Sequence, residues 1–279
     1  MQEKSHGTLH IQTQANAQLG AMRERNENMR MGTVDMGTSS VGFLSEYEPV
    51  VGIFDLPYLY QDKAHEMRVF DGTIGREVNE RLQAKGLRVL CYFDAGARQI
   101  TNNSRPLYSP ADLKGLRIRT PQSQASMEGF RAFRAVPIPL PFGELYGALQ
   151  QGVADGQENP ISLIFHNRFY EVQKYLTLTN HQLFIQVLLI SEKSWRNLSR
   201  AHQRILLEAA QEAQVYERQL VAAEETELLE QLRQKGMQIN QIEQTEPFVR
   251  QALTLRELYI RRLGEPARAM FARIDALRQ

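Results

Sequence analysis

Leu116-Arg117-Ile118-Arg119-Thr120-Pro121 and, further along, Asp155-Gly156-Gln157-Glu158-Asn159-Pro160 are the two stretches on which the reading of this chain turns. The first is a short β-rich run stopped by Thr120-Pro121. It places the guanidinium of Arg119 at a strand end, where ligand groups sit in open α/β sheets. An arginine fork matches a carboxylate with two parallel hydrogen bonds. In the second stretch Asn159 offers a donor and acceptors, and Pro160 fixes the turn expected to present it. One cation and one amide converging on a cleft read as recognition of an acid, not as chemistry upon it.

Outward from these stretches, helical and strand-like patterns alternate. Leu9-His10-Ile11-Gln12 alternates like a strand, residues 23–30 read as a helix ending before Gly32, and Val34-Asp35-Met36-Gly37 as a short buried strand. Residues 67–84 are helical, Gly86 breaks them, and residues 87–93 form a strand. Residues 110–115 are a capped single turn and residues 123–134 a helix. Pro137, Pro139 and Pro141 then force an extended segment, and a helix over residues 142–151 ends at Gly152. Short strands separated by helices of this length predict a mostly parallel sheet covered on its faces.

Residues 199–234 contain no glycine or proline, and Leu206, Leu207, Ala210, Ala213, Leu220, Ala223, Leu228 and Leu232 recur there at helical spacing. Gly236 supplies the stop. A helix of that length is about 50 Å long, enough to cross two lobes. A coiled-coil arm fits less well, because the stripe drifts off strict a/d spacing and Glu and Gln interrupt it. A short strand at residues 237–239, a Pro247-led helix through residue 263 and a last helix over residues 267–277 complete the pattern.

With 279 residues, 42% hydrophobic and 23% charged, the composition is that of an ordinary folded protein with one large core or two modest ones. The net charge of +1 comes without a long run of one sign, which argues against a nucleic-acid footprint. The one cysteine, Cys91, lies in an apolar strand-like run and reads as a small core residue, not a nucleophile. No apolar stretch approaches the roughly 18 residues that span a bilayer. Apart from His6 and His10 in the polar N-terminal stretch, the six histidines are scattered, with no Cys/His/Asp cluster at metal spacing, and there is no Gly-x-Ser-x-Gly elbow or phosphate cradle.

Six further segments extend the pattern: Gln18-Leu19-Gly20, Met31-Gly32-Thr33-Val34-Asp35-Met36, Asp55-Leu56-Pro57-Tyr58, Ala111-Asp112-Leu113-Lys114-Gly115-Leu116, Pro141-Phe142-Gly143-Glu144-Leu145-Tyr146 and Phe169-Tyr170-Glu171-Val172-Gln173-Lys174-Tyr175. In this order, and together with the two opening stretches, they resemble the solute-binding proteins of the TRAP (tripartite ATP-independent periplasmic) transporters. The resemblance runs from Lys4 onward and weakens after about Gln241. It implies an α/β, two-lobed periplasmic binding protein fold with a long helix spanning both lobes. Residues 1–95 and 185–224 would form lobe I, and residues 96–184 and 225–279 lobe II. It also implies a periplasmic protein, not an enzyme, that needs no cofactor. Such a protein captures an organic acid and hands it to the small and large integral membrane subunits of a TRAP permease. Met1-Gln2-Glu3-Lys4-Ser5-His6-Gly7 lacks the apolar core of a secretory signal. Proteins of that family carry such a signal, then a strand and a helix, before this point, and Lys4-Ser5-His6-Gly7 resembles the end of that first helix. Either the start is cut or called late, or the first βα unit is lacking. A late start is the expectation, because losing a strand and its helix would expose apolar surface and unpaired edges.

The resemblance also assigns roles. Arg119 makes the bidentate contact to the substrate carboxylate and Asn159 the amide contact to the same group. Arg98 is a second arginine across the cleft, Phe142 an aromatic wall, and His181 a residue near the ligand. Each also has a plain structural reading: a salt bridge for Arg119, a turn for Asn159, a surface charge for Arg98, core packing for Phe142 and His181. Thr38 and Ser39 follow a strand and occupy positions that reach polar ligand groups, one of them often acidic. Thr38 thus suggests a different hydroxyl or amine pattern on the ligand. Gln122 adds a hydrogen bond just past Arg119. Asp155 and Glu158, three apart in one turn, do not face each other across a substrate and are read as structural, Asp155 as a cap. The expected ligand is a sugar acid or related hydroxy-acid monocarboxylate, enclosed by hinge closure. A C4-dicarboxylate, with Arg98 holding the second carboxylate, is the close competitor. A ligand sensor for a receptor kinase would carry the same pocket, and an enzyme would need a perturbed base near Arg119.

Overall fold

A computed structural model describes residues 1–15 and 17–278. Residues 2–7 wind through turns, not a helix end, and Lys4 pairs with Glu212 at 2.8 Å. Leu9-His10-Ile11-Gln12 forms no strand, and Ile11 is exposed. Alternation makes a strand only where a neighbour supplies the ladder of backbone hydrogen bonds.

Helix α1 (Met22–Met31) stops at Gly32, whose φ of 77° lets its N–H return to the carbonyls of Asn28 and Met29. Strand β1 (Met36–Ser40) leads into the short α2 (Val41–Leu44) and a 3-10 segment, Pro49–Asp55, buried from Val50 onward. The expected single helix over residues 67–84 is two, α3 (Lys63–Asp71) and α4 (Thr73–Gln83), broken at Gly72. There a Cβ would meet the Arg68 carbonyl at 2.4 Å, so only glycine permits the turn between them.

Strand β2 (Leu87–Asn102) is 16 residues long and does not end at Phe93. Its irregularity between Asp94 and Ala97, with Gly96 at φ 91°, is a bulge within the strand. Next come β3 (Arg117–Thr120), α5 (Gln124–Ala132) with Ser123 as N-cap, and β4 (Val136–Pro139). The prolines of β4 are tolerated because it is an edge strand. After α6 (Leu145–Gln150), β5 (Gly156–Pro160) is buried throughout. The stretch expected to present Asn159 from a turn is thus a strand, and Pro160 instead opens α7 (Ile161–His166). Strand β6 (Tyr175–Ser191), α8 (Glu192–Asn197), α9 (Arg200–Gln234), β7 (Gln238–Gln241), α10 (Glu246–Leu263) and α11 (Glu265–Asp275) complete the chain.

The sheet runs β1-β6-β2-β5-β3-β4, with β7 added on β6. Only the pairs β3–β4, β3–β5 and β6–β7 are parallel; β1–β6, β2–β6 and β2–β5 are antiparallel. The sheet is therefore mixed, not mostly parallel. Its frame is the long antiparallel pair β2–β6, whose strands lie some 90 positions apart, so local spacing carries no sign of their pairing.

Two lobes hang on that pair. Leu87, Val89 and Tyr92 of β2 pack into one core with Met29, Ile53 and Phe70, whereas Ile100 of the same strand packs with Ile118, Phe133 and Phe248. Helix α9, 35 residues long, spans both ends. Its Leu206 and Ala210 pack with Cys91 and Trp195, and its Leu228 and Leu232 with Leu145 and Phe169. Burial pushes the Cys91 thiol up to about 12, in keeping with a core residue. One expected boundary shifts. Leu255, Tyr259, Met270 and Ile274, placed with lobe II on the sequence, pack into the first core, because α10 passes from Phe248 in one core to Tyr259 in the other.

Candidate ligand-binding site

Arg119 lies on β3 between β4 and β5 and is 3% exposed. Its Nε and Nη2 both donate to the carbonyl of Leu140, at 3.0 and 2.6 Å. Among the described residues no carboxylate lies within ion-pair distance of it. Burial lowers it to about 10, with Glu158 opposing and Arg98 reinforcing that shift, so it stays protonated at neutral pH. The guanidinium carbon stands 5.9 Å from the ring of Phe142. Phe142 is 41% exposed and meets Phe169 edge-on at 6.1 Å, so it is not a core residue.

Arg98 on β2 is 1% exposed and already paired. Its Nε and Nη2 bind the Glu158 carboxylate, and Nη2 also donates to the Glu158 carbonyl at 2.8 Å and to Asn159 Oδ1 at 3.2 Å. The ring of Phe184 lies 4.3 Å from its guanidinium carbon. The expectation that Arg98 stands ready for a second carboxylate meets a charge that Glu158 has already matched. Glu158 was read as structural, and it anchors this pair. Burial pushes its carboxyl up, but Arg98 and His181 outweigh that and hold it below the ordinary value.

His181 is buried with its Nε2 3.4 Å from Glu158 Oε2, close but not aligned for a hydrogen bond. Its Nδ1 lies 2.7 Å from the Thr179 hydroxyl. Burial lowers its pKa more than Glu158 raises it, so the ring is neutral at pH 7. Asn159 donates from Nδ2 to Gln157 Oε1 at 2.5 Å. Gln157 donates on to Thr101 at 2.9 Å, and Thr101 to Gln173 at 2.8 Å. That polar ladder settles which way the Asn159 amide faces.

The remaining candidates sit apart. Ser39 is buried and accepts from Asn26 Nδ2 at 2.8 Å, while Thr38 is exposed and offers its carbonyl to Arg25. Gln122 lines a cavity of about 420 Å³ with Arg23, Glu46, Tyr259 and Arg262. Among the described residues no hydrogen bond or ion pair joins Thr38, Ser39 or Gln122 to the group around Arg119 and Arg98. Asp155 caps no helix. It accepts the Arg117 N–H at 2.8 Å and Nη2 at 2.6 Å.

Asp55 was quoted in the sequence only as part of a motif. Buried at the end of the 3-10 segment, it accepts from the Ser123 hydroxyl and from Gln182 Nε2 at 2.6 Å. Burial raises its carboxyl from 3.8 to about 6, against the pull of Ser123, Arg98 and Gln182. The signal was an acid after the apolar run Val50-Val51-Gly52-Ile53-Phe54, a place where a charge needs partners. Because the native state binds this proton more tightly than the unfolded chain, the stability involved is present below about pH 4 and lost as pH rises through 6. Holding that proton up to about pH 6 is worth roughly 3 kcal/mol. Asp55→Asn keeps an acceptor for Gln182 and turns an amide to the Ser123 oxygen. It is expected to match the wild type in thermal melts at pH 4 and to exceed it at pH 8. A difference that does not grow with pH would remove the titrating role.

A model of the bacterial extracellular solute-binding proteins, family 7, matches residues 1–258. The chain belongs to that family. The 2,3-diketo-L-gulonate-binding periplasmic protein YiaO of Escherichia coli K12 is 36% identical over 239 residues, 86% of this chain and 73% of YiaO. The sialic acid-binding periplasmic protein SiaP of Vibrio cholerae is 33% identical over 267 residues, 95% of this chain and 83% of SiaP. A TRAP periplasmic solute-binding protein from Polaromonas sp. JS666, solved bound to D-erythronate, matches with a TM-score of 0.95 and 34% identity over 100% of this chain and 91% of its own. One from Xanthobacter autotrophicus Py2, solved with β-D-galacturonate, matches at 0.93 and 29% identity over 99% and 91%. The expected two-lobed binding-protein fold with its long bridging helix is borne out. As a family 7 member this is a periplasmic solute-binding protein that works with membrane permease subunits. The family is one of transport binding proteins, and no catalytic family is indicated. Among the described residues no helix is long and apolar enough to cross a membrane.

Proposed function

We propose that this protein captures a sugar acid carrying a single carboxylate, with Arg119 as the carboxylate's partner and Asn159 and Phe142 beside it, and delivers it to a TRAP permease. The observation that carries the reading is the contrast between two buried arginines. Arg98 is matched by Glu158, whereas Arg119 has no carboxylate among the described residues. One unmatched guanidinium calls for one carboxylate, which favours a monocarboxylate over a C4-dicarboxylate. The relatives agree in ligand class: YiaO is named for 2,3-diketo-L-gulonate, and solved neighbours hold D-erythronate, galacturonate and D-glucuronate. In this reading residues 1–95 and 185–224, joined by the end of α10 and α11, close against residues 96–184 and the start of α10.

A thermal-shift screen against aldonates, uronates, sialic acid and C4-dicarboxylates tests it. A sugar acid at 100 times its Kd adds about 2.7 kcal/mol of stability, a readily measured rise in Tm. Succinate and malate are expected to leave the Tm unchanged. A larger shift with a C4-dicarboxylate would replace the reading with that class.

A further inference from the structure

Three elements pass between the two lobes at one level. β2 does so at Asp94-Ala95-Gly96, where its register against β6 shifts and Gly96 takes φ 91°. β6 crosses beside it at Phe184. α9 crosses at residues 217–221, where Val221 Cγ1 lies 3.6 Å from the place a Cβ on Gly96 would occupy. At this bulge the ladder is interrupted, so its backbone N–H groups need partners from elsewhere.

Side chains supply them. Asp94, 2% exposed, turns its carboxylate to the Gly96 N–H at 2.9 Å and to Lys63 Nζ of α3, also at 2.9 Å. Glu217 reaches over from α9 and accepts the N–H of Asp94 at 3.1 Å. The next residue, Arg218, holds Asp71 of α3 at 2.7 Å and the Tyr92 carbonyl at 2.9 Å. The bend is thereby tied to a helix of lobe I on one side and to the bridging helix on the other. None of these side chains hydrogen-bonds Arg119, Arg98 or Asn159.

We propose that Lys63, Asp94 and Glu217 form a hinge latch. It holds the β2 bend against α9, favours the enclosed conformation, and so sets ligand affinity without touching the ligand. The structure in which it is formed matches that of the D-erythronate-bound neighbour over the whole chain with a TM-score of 0.95. Ligand enters between open lobes and is retained once they enclose it, so a weaker latch speeds release and raises Kd through koff. The acid it acts upon is taken from the proposed function, but the hinge itself can be read without any ligand.

The test uses cysteines at the exposed positions Met31 and Val153, one on each lobe, as sites for a pair of fluorescent labels; Cys91 is buried and stays unlabelled. Without ligand, Glu217→Ala is expected to move the inter-lobe distance distribution towards longer distances. Glu217→Gln, which keeps an acceptor for the Asp94 N–H, is expected to restore it. With whichever sugar acid the wild type binds, Glu217→Ala is expected to raise Kd roughly ten-fold, the worth of one hydrogen bond, with koff carrying the change and kon within two-fold. Asp94→Asn, which loses the Lys63 pair, is expected to act in the same direction. An unchanged ligand-free distribution in both folded variants would overturn the latch, whatever the ligand proves to be. A rise in Kd carried by kon would overturn it too. A wild type that binds no sugar acid would overturn the function and leave the distance result standing.

Discussion

Arg119→Ala is expected to weaken binding of the sugar acid by roughly 30- to several-thousand-fold, the cost of leaving a desolvated carboxylate without its charged partner. The structure makes this variant a clean one. Arg119 forms no ion pair with a described residue, so its removal strands no buried anion of the protein. Only the Leu140 carbonyl loses its donors. The melting temperature without ligand should therefore fall far less than the affinity. Arg119→Lys keeps the charge but not the fork and should lie between the two, because a point charge cannot make the two parallel hydrogen bonds. Isothermal titration with the acid identified by thermal shift measures all three. An Arg119→Ala Kd within three-fold of the wild type would put the carboxylate's partner elsewhere.

Glu158→Gln is expected to act on stability instead. It leaves Arg98 as a buried, uncompensated cation, which costs on the order of 3–5 kcal/mol. For a chain of this size that is a fall in Tm of roughly 10 °C. Combining it with Arg98→Met removes the stranded charge and should recover most of the loss, a coupling that a double-mutant cycle reads directly. The pH dependence has the opposite sign to that of Asp55. The Glu158 carboxyl is held below its ordinary value, so its contribution is present above about pH 4.5 and lost as pH falls through the lowered value. The gap between wild type and Glu158→Gln should accordingly narrow in acid. A gap below 1 kcal/mol at pH 7 would mean that water or rearrangement already compensates Arg98.

Arg98 shows why the site was only partly legible. Its residue type and place after a strand were plain, but whether its charge is free depends on Glu158, 60 positions away, set beside it by the antiparallel β2–β5 register. The stretch Gly156-Gln157-Glu158-Asn159-Pro160 misled for a related reason. Five polar or turn-forming residues in a row suggest exposure, yet here they form a buried strand whose side chains are satisfied by Arg98, by Thr101 and by one another. Gln122 lies three residues past Arg119 in the chain, yet it lines a cavity with Arg23, Glu46 and Tyr259 that Arg119 does not line.

Local chemistry alone settled the rest. The absence of glycine and proline from residues 199–234 and their apolar spacing determined α9; Ser123 and Ser199 determined where α5 and α9 begin; Gly32 determined where α1 ends. These are decisions made within a few residues, by helical periodicity, side-chain caps and the one residue free to take a left-handed turn. The direction of the sheet, the bridging of two cores by β2 and α9, the passage of α10 between them, and the pairing that leaves Arg119 rather than Arg98 without a carboxylate were decided only in three dimensions. Each depends on groups distant along the chain meeting in a low-dielectric interior, where the energy of a charge is set by its neighbours in space.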